Sequence, residues 1–377
     1  WDEPKKAIKY YERSLEIAQE IGDKLNMAHS LHNLGWQYAY SGDINKSIYF
    51  HTQSSKIRKI IGDALGVGMS FQLIGFNHKN LGQYDMAMDF FVRSLKIREE
   101  ISDSVGIAQA LSNIGHIYFD IGDYEKSLDY HDRSLTLFEE LGDKSRMANN
   151  LSAIGRIYSE MHDYNKALGY YNRSLKLHEE LGNDLLKGHR FFDIGETYWY
   201  KGDLDKSIYY YNRSLKIFEL LDKKLHIAST LFYIGWNYYE MGKYDKALDY
   251  YNILMKVEEK LGEKLVYNEM SNYFTNMGLV YFQQEDYNKA VEYLDKSATM
   301  QIELDSTITL ETLSHLFLSK KILGKEYNVA EIHTLIKEQE EIDDYINFAL
   351  FKLLDDLSYL KTAYNQVQEK ASAMEEE

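Results

Sequence analysis

The heptapeptide YYNRSLK stands at residues 170–176 and again at 210–216, forty positions apart. Variants of the phrase keep the same register: YERSLEI begins at Tyr11, FVRSLKI at Phe91 and HDRSLTL at His131. A second marker is stricter. Glycine recurs at Gly35, Gly75, Gly115, Gly155, Gly195 and Gly235, and a further copy, Gly278, arrives three residues late. A third marker is a Gly-Asp pair that punctuates both halves of the unit, at Gly22-Asp23, Gly42-Asp43, Gly122-Asp123 and Gly142-Asp143. Three interleaved markers with one period make the chain a tandem array, in which each unit buries its apolar face against its neighbours. The heptapeptide is therefore structural spelling rather than a catalytic box.

Each unit reads as two helices. Ala108, Leu111, Ile114, Gly115 and Tyr118 fall at helical spacing, and so do Leu128, His131, Leu135 and Phe138 after the turn. Gly122 suits the left-handed residue that ends a helix, and Asp123 suits the cap of the next. A connection this short makes the two helices antiparallel. Glycine inside a helix costs about 1 kcal/mol relative to alanine, so its recurrence needs a reason. Twelve residues after each glycine comes a small residue, Ser47, Ala87, Ser127, Ala167, Ser207 or Ala247. The expected reason is a close approach of small residue to small residue. The tyrosine pairs at 170–171, 210–211 and 250–251 are expected to pack between repeats.

Small residues at these two places, Leu31, Leu34 and Tyr38 around the first, and a following aromatic such as Phe50 or Tyr130 resemble the tetratricopeptide repeat. The proline usual at the unit's end is missing and the second helix runs on. This lengthened form is similar to the repeats of kinesin light chain, spindle-orientation adaptors and bacterial peptide-sensing regulators. The resemblance implies an all-α, right-handed superhelical solenoid. Residues 1–305 would hold a half repeat and seven full repeats. Residues 4–21 match a second helix whose partner is absent, so the natural chain is expected to continue upstream. Residues 306–340 keep the outline of a degenerate helical hairpin, with Phe317 in place of the small residue. Residues 341–377 read as C-terminal capping helices. There Ile346, Leu350, Leu353, Leu357, Leu360, Tyr364, Val367, Ala371 and Met374 alternate steps of four and three. That is a heptad seam, which leaves a homodimer through 341–374 as the alternative to a capped monomer. Asp355-Asp356 and Ser358 are good capping residues, which leaves one rod and a two-helix hairpin both open.

The remaining composition narrows function. No cysteine is present, which removes disulfides and thiol chemistry. No apolar run reaches the ~20 residues of a membrane span, and the absence of a signal peptide makes the cytoplasm the expected compartment. A formal charge of −16 opposes nucleic-acid binding. No phosphate loop, nucleophile elbow or zincin motif appears. Gly66 and Gly68 lack the rest of a dinucleotide fingerprint. His29 and His32 stand three apart but no third ligand falls at convincing spacing. The expectation is a non-enzyme with no cofactor or metal.

What refuses to repeat is more informative. With the recurrent glycine counted as position eight of the first helix, position nine reads Trp36, Phe76, His116, Arg156, Glu196, Trp236 and Leu279. Positions two, five and six vary as freely, and all four share one stripe of the helix. Drift at solvent positions would favour Lys and Glu, yet the stripe holds Trp, Phe and Asn. In the family resembled here this stripe lines a concave face that holds extended peptides or partner helices. The candidate peptide-binding residues are His29, His32, Asn33, Trp36, Phe76, Asn113, His116, Arg156, Asp193, Glu196 and Trp236. The expected partner is a protein or peptide gripped by a scaffold. A regulatory arm of a larger signalling enzyme is the alternative. The stripe is expected to be neutral to basic early (His29, His32, Lys79, His116, Arg156) and acidic later (Glu160, Asp193, Glu196, Glu240).

Overall fold

The computed structural model describes residues 3–258, 267–303, 308–338 and 342–375. These form nineteen α-helices, with no strand among the described residues. Consecutive helices pack as antiparallel pairs. The chain falls into two compact units, Trp1–Thr197 and Tyr198–Glu377, divided within the helix Asp184–Tyr200.

The forty-residue period resolves into two halves of twenty. From Lys24–Tyr40 to Lys224–Glu240 every helix has 17 residues and is followed by a three-residue turn. The middle turn residue is left-handed each time, as at Gly42 (φ +83°) and Gly122 (φ +80°). Ser102, His162 and Asp222 adopt that conformation without being glycine. In these turns the third residue's N–H donates to the carbonyl five residues back, as Asp43 does to Tyr38 at 2.9 Å. Where the third residue is aspartate its carboxylate caps the next helix: Asp43 accepts from the Lys46 N–H at 3.1 Å and Asp123 from the Lys126 N–H at 3.2 Å.

The serine of the repeated phrase has one job. Ser54, Ser94, Ser134, Ser174 and Ser297 each donate a hydroxyl hydrogen bond of 2.7–2.8 Å to a carbonyl 26 residues upstream, on the partner helix. All five are buried, so each satisfies its hydroxyl while bolting the two helices of a repeat together.

The recurrent glycine has a different partner from the one expected. A Cβ on Gly75 would lie 2.6 Å from Cε1 of Phe91, and one on Gly115 would lie 2.8 Å from Cδ2 of His131. His51, Tyr171, Tyr251 and Leu294 fill the same notch elsewhere. The glycine thus admits a side chain sixteen residues on, not twelve. The small residue sits beside it, where bulk would block the same approach; the Ser127 hydroxyl donates to the Gly115 carbonyl at 2.8 Å. His51 and His131 are packing substitutes for Tyr and Phe, both buried.

The tyrosine pairs work within a repeat and also, as expected, between repeats, where Tyr211 stacks on Tyr233 at 5.6 Å and Tyr251 meets Tyr273 edge-on at 6.2 Å. The second ring enters the glycine notch. The first stacks on the partner helix: Tyr158 with Tyr170 (5.4 Å), Tyr118 with Tyr130 (5.4 Å), Tyr238 with Tyr250 (5.5 Å). Lysine ammoniums lie over these stacks, Lys166 4.9 Å from Tyr158 and Lys126 5.2 Å from Tyr118.

In the second unit the degenerate hairpin is Leu310–Ile322 and Val329–Glu338, followed by Asp344–Leu354 and Leu357–Glu375. Phe317, Ile332, Ile346, Leu350 and Leu353 share one core with Leu294 and Leu313. The seam is broken into two helices by Asp355, which is left-handed (φ +58°). Lys321 Nζ donates to the Lys352 and Leu353 carbonyls, both at 2.9 Å, closing that helix end. The seam's first half is buried; in its second half Leu357, Tyr364 and Val367 are exposed. The side chains of Ala371 and Met374 lie outside the described residues.

Candidate functional site

The first unit opens two clefts on the non-repeating stripe. One, of about 250 Å³, is lined by Gln72, Gln109, Ser112, Asn113, His116, Arg146 and Asn149 among others. The other, of about 270 Å³, is lined by His116, Asn149, Ser152, Arg156, Arg190 and Asp193. Positions two, five, six and nine of successive first helices therefore converge, as their helical spacing requires. Asparagine and glutamine dominate the first cleft, and each offers both a donor and an acceptor. Asn113 is buried, and its Nδ2 donor meets no acceptor.

Charge is more balanced than the sequence implies. Burial, then Arg58 and His29, holds His32 at about 4. Burial likewise pushes His116 well below the usual histidine range. Both rings are neutral at pH 7 and pack edge-on, His32 on His51 (5.4 Å) and His116 on His131 (4.7 Å). Lys79 is paired with Asp120 at 2.9 Å. Arg156 lies 4.2 Å over the Phe119 ring and supplies the plainest positive charge. Asp193 is paired with Arg190 at 2.8 Å and its carboxyl is raised by burial. Glu196 is pushed up to about 7 by burial, then by the Asp193 and Glu160 carboxylates. The expected basic-to-acidic contrast thus shrinks: His32 and His116 carry no charge at pH 7, Asp193 is paired, and burial disfavours the charge on Glu196.

His29, Asn33 and Trp36 occupy the first repeat's copy of the stripe. His29 is exposed, Asn33 half-buried, and Trp36 is 50% exposed. Phe76 leans on the core, its ring edge-on to Phe91 at 5.3 Å. Among the described residues no group of three His, Cys, Asp or Glu side chains is placed to share a metal ion, and no helix is long and apolar enough to cross a membrane.

The second unit has its own cleft on the same stripe, of about 280 Å³, lined by Trp199, Phe232, Tyr233, Trp236, Asn276 and Glu311 among others. Trp199 and Arg190 were not among the residues expected from sequence. Trp199 was findable. One helical step of three beyond position nine reaches position twelve, where Lys79, Phe119, Trp199 and Tyr239 stand.

The fold is similar to that of a signal transduction ATPase with numerous domains carrying a tetratricopeptide repeat sensor, from Pyrococcus horikoshii. That match has a TM-score of 0.64 and 14% identity, and covers 97% of this chain and 54% of that one. It is also similar to aspartyl phosphate phosphatase F from Bacillus subtilis, with TM-score 0.55, 15% identity, and coverage of 78% and 76%. A Rap protein complexed with Competence and Sporulation Factor matches at TM-score 0.50 and 16% identity, over 97% and 99%. No curated protein sequence matches the chain. The tetratricopeptide repeat family model matches residues 2–60, 106–180 and 190–253, more than half of the chain, and a second model of that repeat matches 70–101 and 271–301. With its period, its helix pairs and its glycine notches accounted for, this chain belongs to the tetratricopeptide repeat family.

Proposed function

We propose that the chain is a protein-interaction scaffold whose non-repeating stripe holds an extended peptide. One observation carries this reading: the open clefts of both units are lined by the helix positions that refuse to repeat. The framework positions are committed to packing contacts within and between repeats, so the stripe is where sequence is free to encode a ligand. In the first unit, amide side chains at Gln72, Gln109, Asn113 and Asn149 match the alternating N–H and C=O groups of an extended backbone. Arg156 supplies directional charge, which fixes orientation and on-rate more than affinity. His29, His32, Asn33, Trp36 and Phe76 extend the same face, and Asp193 and Glu196 bound it. The Rap protein complexed with Competence and Sporulation Factor is a fold relative solved with a ligand, which supports the reading by analogy of fold.

The test is selection of peptides from a random displayed library on the intact chain. Asn113→Ala with Asn149→Ala should weaken the selected peptides by ~10-fold or more while leaving helix content unchanged. Selected peptides that bind both forms equally would sink the assignment. The second reading, a sensor arm of a larger signalling enzyme, draws on the Pyrococcus horikoshii relative, of which this chain matches only 54%. A catalytic domain encoded in the same gene would favour it.

A further inference from the structure

The cleft of the second unit differs in kind from those of the first. Four aromatic side chains, Trp199, Phe232, Tyr233 and Trp236, line a volume of about 280 Å³. Among the described residues its lining contains neither lysine nor arginine, and the one ionisable carboxylate is Glu311. Glu311 accepts a hydrogen bond from the Tyr345 hydroxyl at 2.7 Å. Burial raises its carboxyl above the ordinary range, and the further charges that act on it in the same sense are Asp343 and Glu240, both acidic. Tyr239, whose ring lies 5.2 Å from Trp236, is raised by burial and then by Glu311 and Glu240. The local field is therefore negative from two sources: the carboxylates, and the ring faces with their quadrupoles.

A purely apolar pocket would not place a half-buried carboxylate on its lining, because an ionised group without a counter-ion is costly in such surroundings. The first unit's clefts show the contrast: there Asp193 faces Arg190 and Arg156. We propose that the Trp199–Trp236 pocket binds an organic cation, a lysine or arginine side chain or a methylated ammonium. The rings enclose the charge and Glu311 acts as its counter-ion. That the cation belongs to the bound peptide rests on the function proposed above; that the pocket takes a cation does not.

Two of the chain's four tryptophans line the pocket, so intrinsic fluorescence reads it directly. The intact chain is titrated with tetramethylammonium chloride against sodium chloride at matched ionic strength, and with neopentyl alcohol as the neutral isostere. A saturable change is expected with the cation and none with the alcohol. Glu311→Gln keeps the shape and the acceptor for Tyr345 but removes the charge, and should weaken the cation by ~10-fold. Trp236→Leu, at a half-exposed position, should weaken it at least as much, with circular dichroism verifying the fold. Acetylated tripeptides carrying lysine, trimethyllysine or norleucine then identify the source of the cation, and the preferred cationic form should exceed norleucine. Equal response to the alcohol, equal binding of norleucine, or indifference to Glu311→Gln in folded protein overturns the proposal. Peptides that still bind the first unit in that event leave the scaffold reading intact.

Discussion

Replacing His51 with phenylalanine should make the first repeat resistant to acid by a calculable amount. The His51 ring fills the Gly35 notch, where a Cβ would lie 2.6 Å from its Cε1. It is 1% exposed and its Nδ1 finds no hydrogen-bond partner. Burial, then His32 and Arg58, lowers it from 6.5 to about 3. A depressed folded value means the unfolded chain binds the proton first. The stabilisation is whole above pH 6.5 and is lost as pH falls from 6.5 toward 3. The loss is about 1.4 kcal/mol per pH unit, or about 2.7 kcal/mol by pH 4.5. Phenylalanine fits the notch: Phe91 occupies the Gly75 notch with the same 2.6 Å approach. At pH 7 the substitution should be neutral to stabilising, by about 0–2 kcal/mol, since a buried unsatisfied nitrogen disappears. Between pH 7 and 4.5 the gap between His51→Phe and the parent should then widen by about 2.7 kcal/mol. Urea unfolding followed by circular dichroism measures the gap. Hydrogen exchange over residues 24–60 locates it, because repeat arrays open locally. His32, His131 and His178 are also lowered to about 4 by burial and contribute acid lability to both proteins, which cancels in the difference. Stability curves that run parallel from pH 7 to 4.5 would refute the reasoning.

Gly75→Ala adds helix propensity yet should destabilise by about 1–2 kcal/mol, because its Cβ collides with the buried Phe91 ring; a raised melting temperature would show that the notch is slack. Gly66→Ala should cost on the order of 2–4 kcal/mol by displacing buried Arg58 from Asp63, which it meets at 2.6 Å. Arg58→Phe combined with Gly66→Arg copies Phe138 and Arg146, and a double-mutant cycle should recover ~1 kcal/mol or more of coupling; strict additivity counts against the pairing. Glu196 has a raised folded value, so its contribution is whole below pH 4.5 and is lost as pH rises through about 7. Glu196→Gln should therefore change nothing at pH 4 and stabilise by on the order of 1–3 kcal/mol at pH 8, and an equal effect at both pH values would contradict the assigned burial.

The period, the two-helix unit and the turn chemistry were legible because they are local: a left-handed residue and a capping carboxylate need nothing beyond three consecutive residues. The stripe was legible for a related reason, since helical spacing alone decides which positions share a face. What escaped was pairing at a distance. The ring opposite each glycine stands sixteen residues on, and a reader looking for small against small stops at twelve. Gly66, weighed only against a dinucleotide fingerprint, has its reason in the internal alignment. Arg58 stands with Gly66, Arg98 with Gly106, Phe138 with Arg146 and Phe218 with His226. A Cβ on Gly66 would lie 1.7 Å from Arg58 Nη1, and one on Gly106 would lie 2.0 Å from Arg98 Nη1. Where the second helix carries a long arginine, the next helix retreats to glycine; where it carries a ring, the next helix fills the space, with Phe218 and His226 4.7 Å apart. The charges of the stripe escaped for another reason. The expected charge pattern took His116 as basic and Asp193 as acidic, whereas burial disfavours the charged form of both.

These pairings separate two kinds of variation that look alike in a repeat alignment. Variation at the Arg58–Gly66 junction is compensated: a gain in volume on one helix meets a loss on the next, so it conserves packing and encodes no ligand. Variation along position nine is uncompensated. Trp36, Phe76, Arg156 and Trp236 change size and charge while the glycine notch holds in all four repeats and the serine bolt in the first three of them, Leu254 standing at that place in the Trp236 repeat. A core position could not vary this way, because close packing makes even one methylene felt. The binding assignment therefore rests on absent compensation rather than on variability as such, and the same criterion separates Glu311 from the buried arginines. Arg58 and Arg98 each face an aspartate of their own turn; among the described residues, the charges acting on Glu311 are those of the acids Asp343 and Glu240.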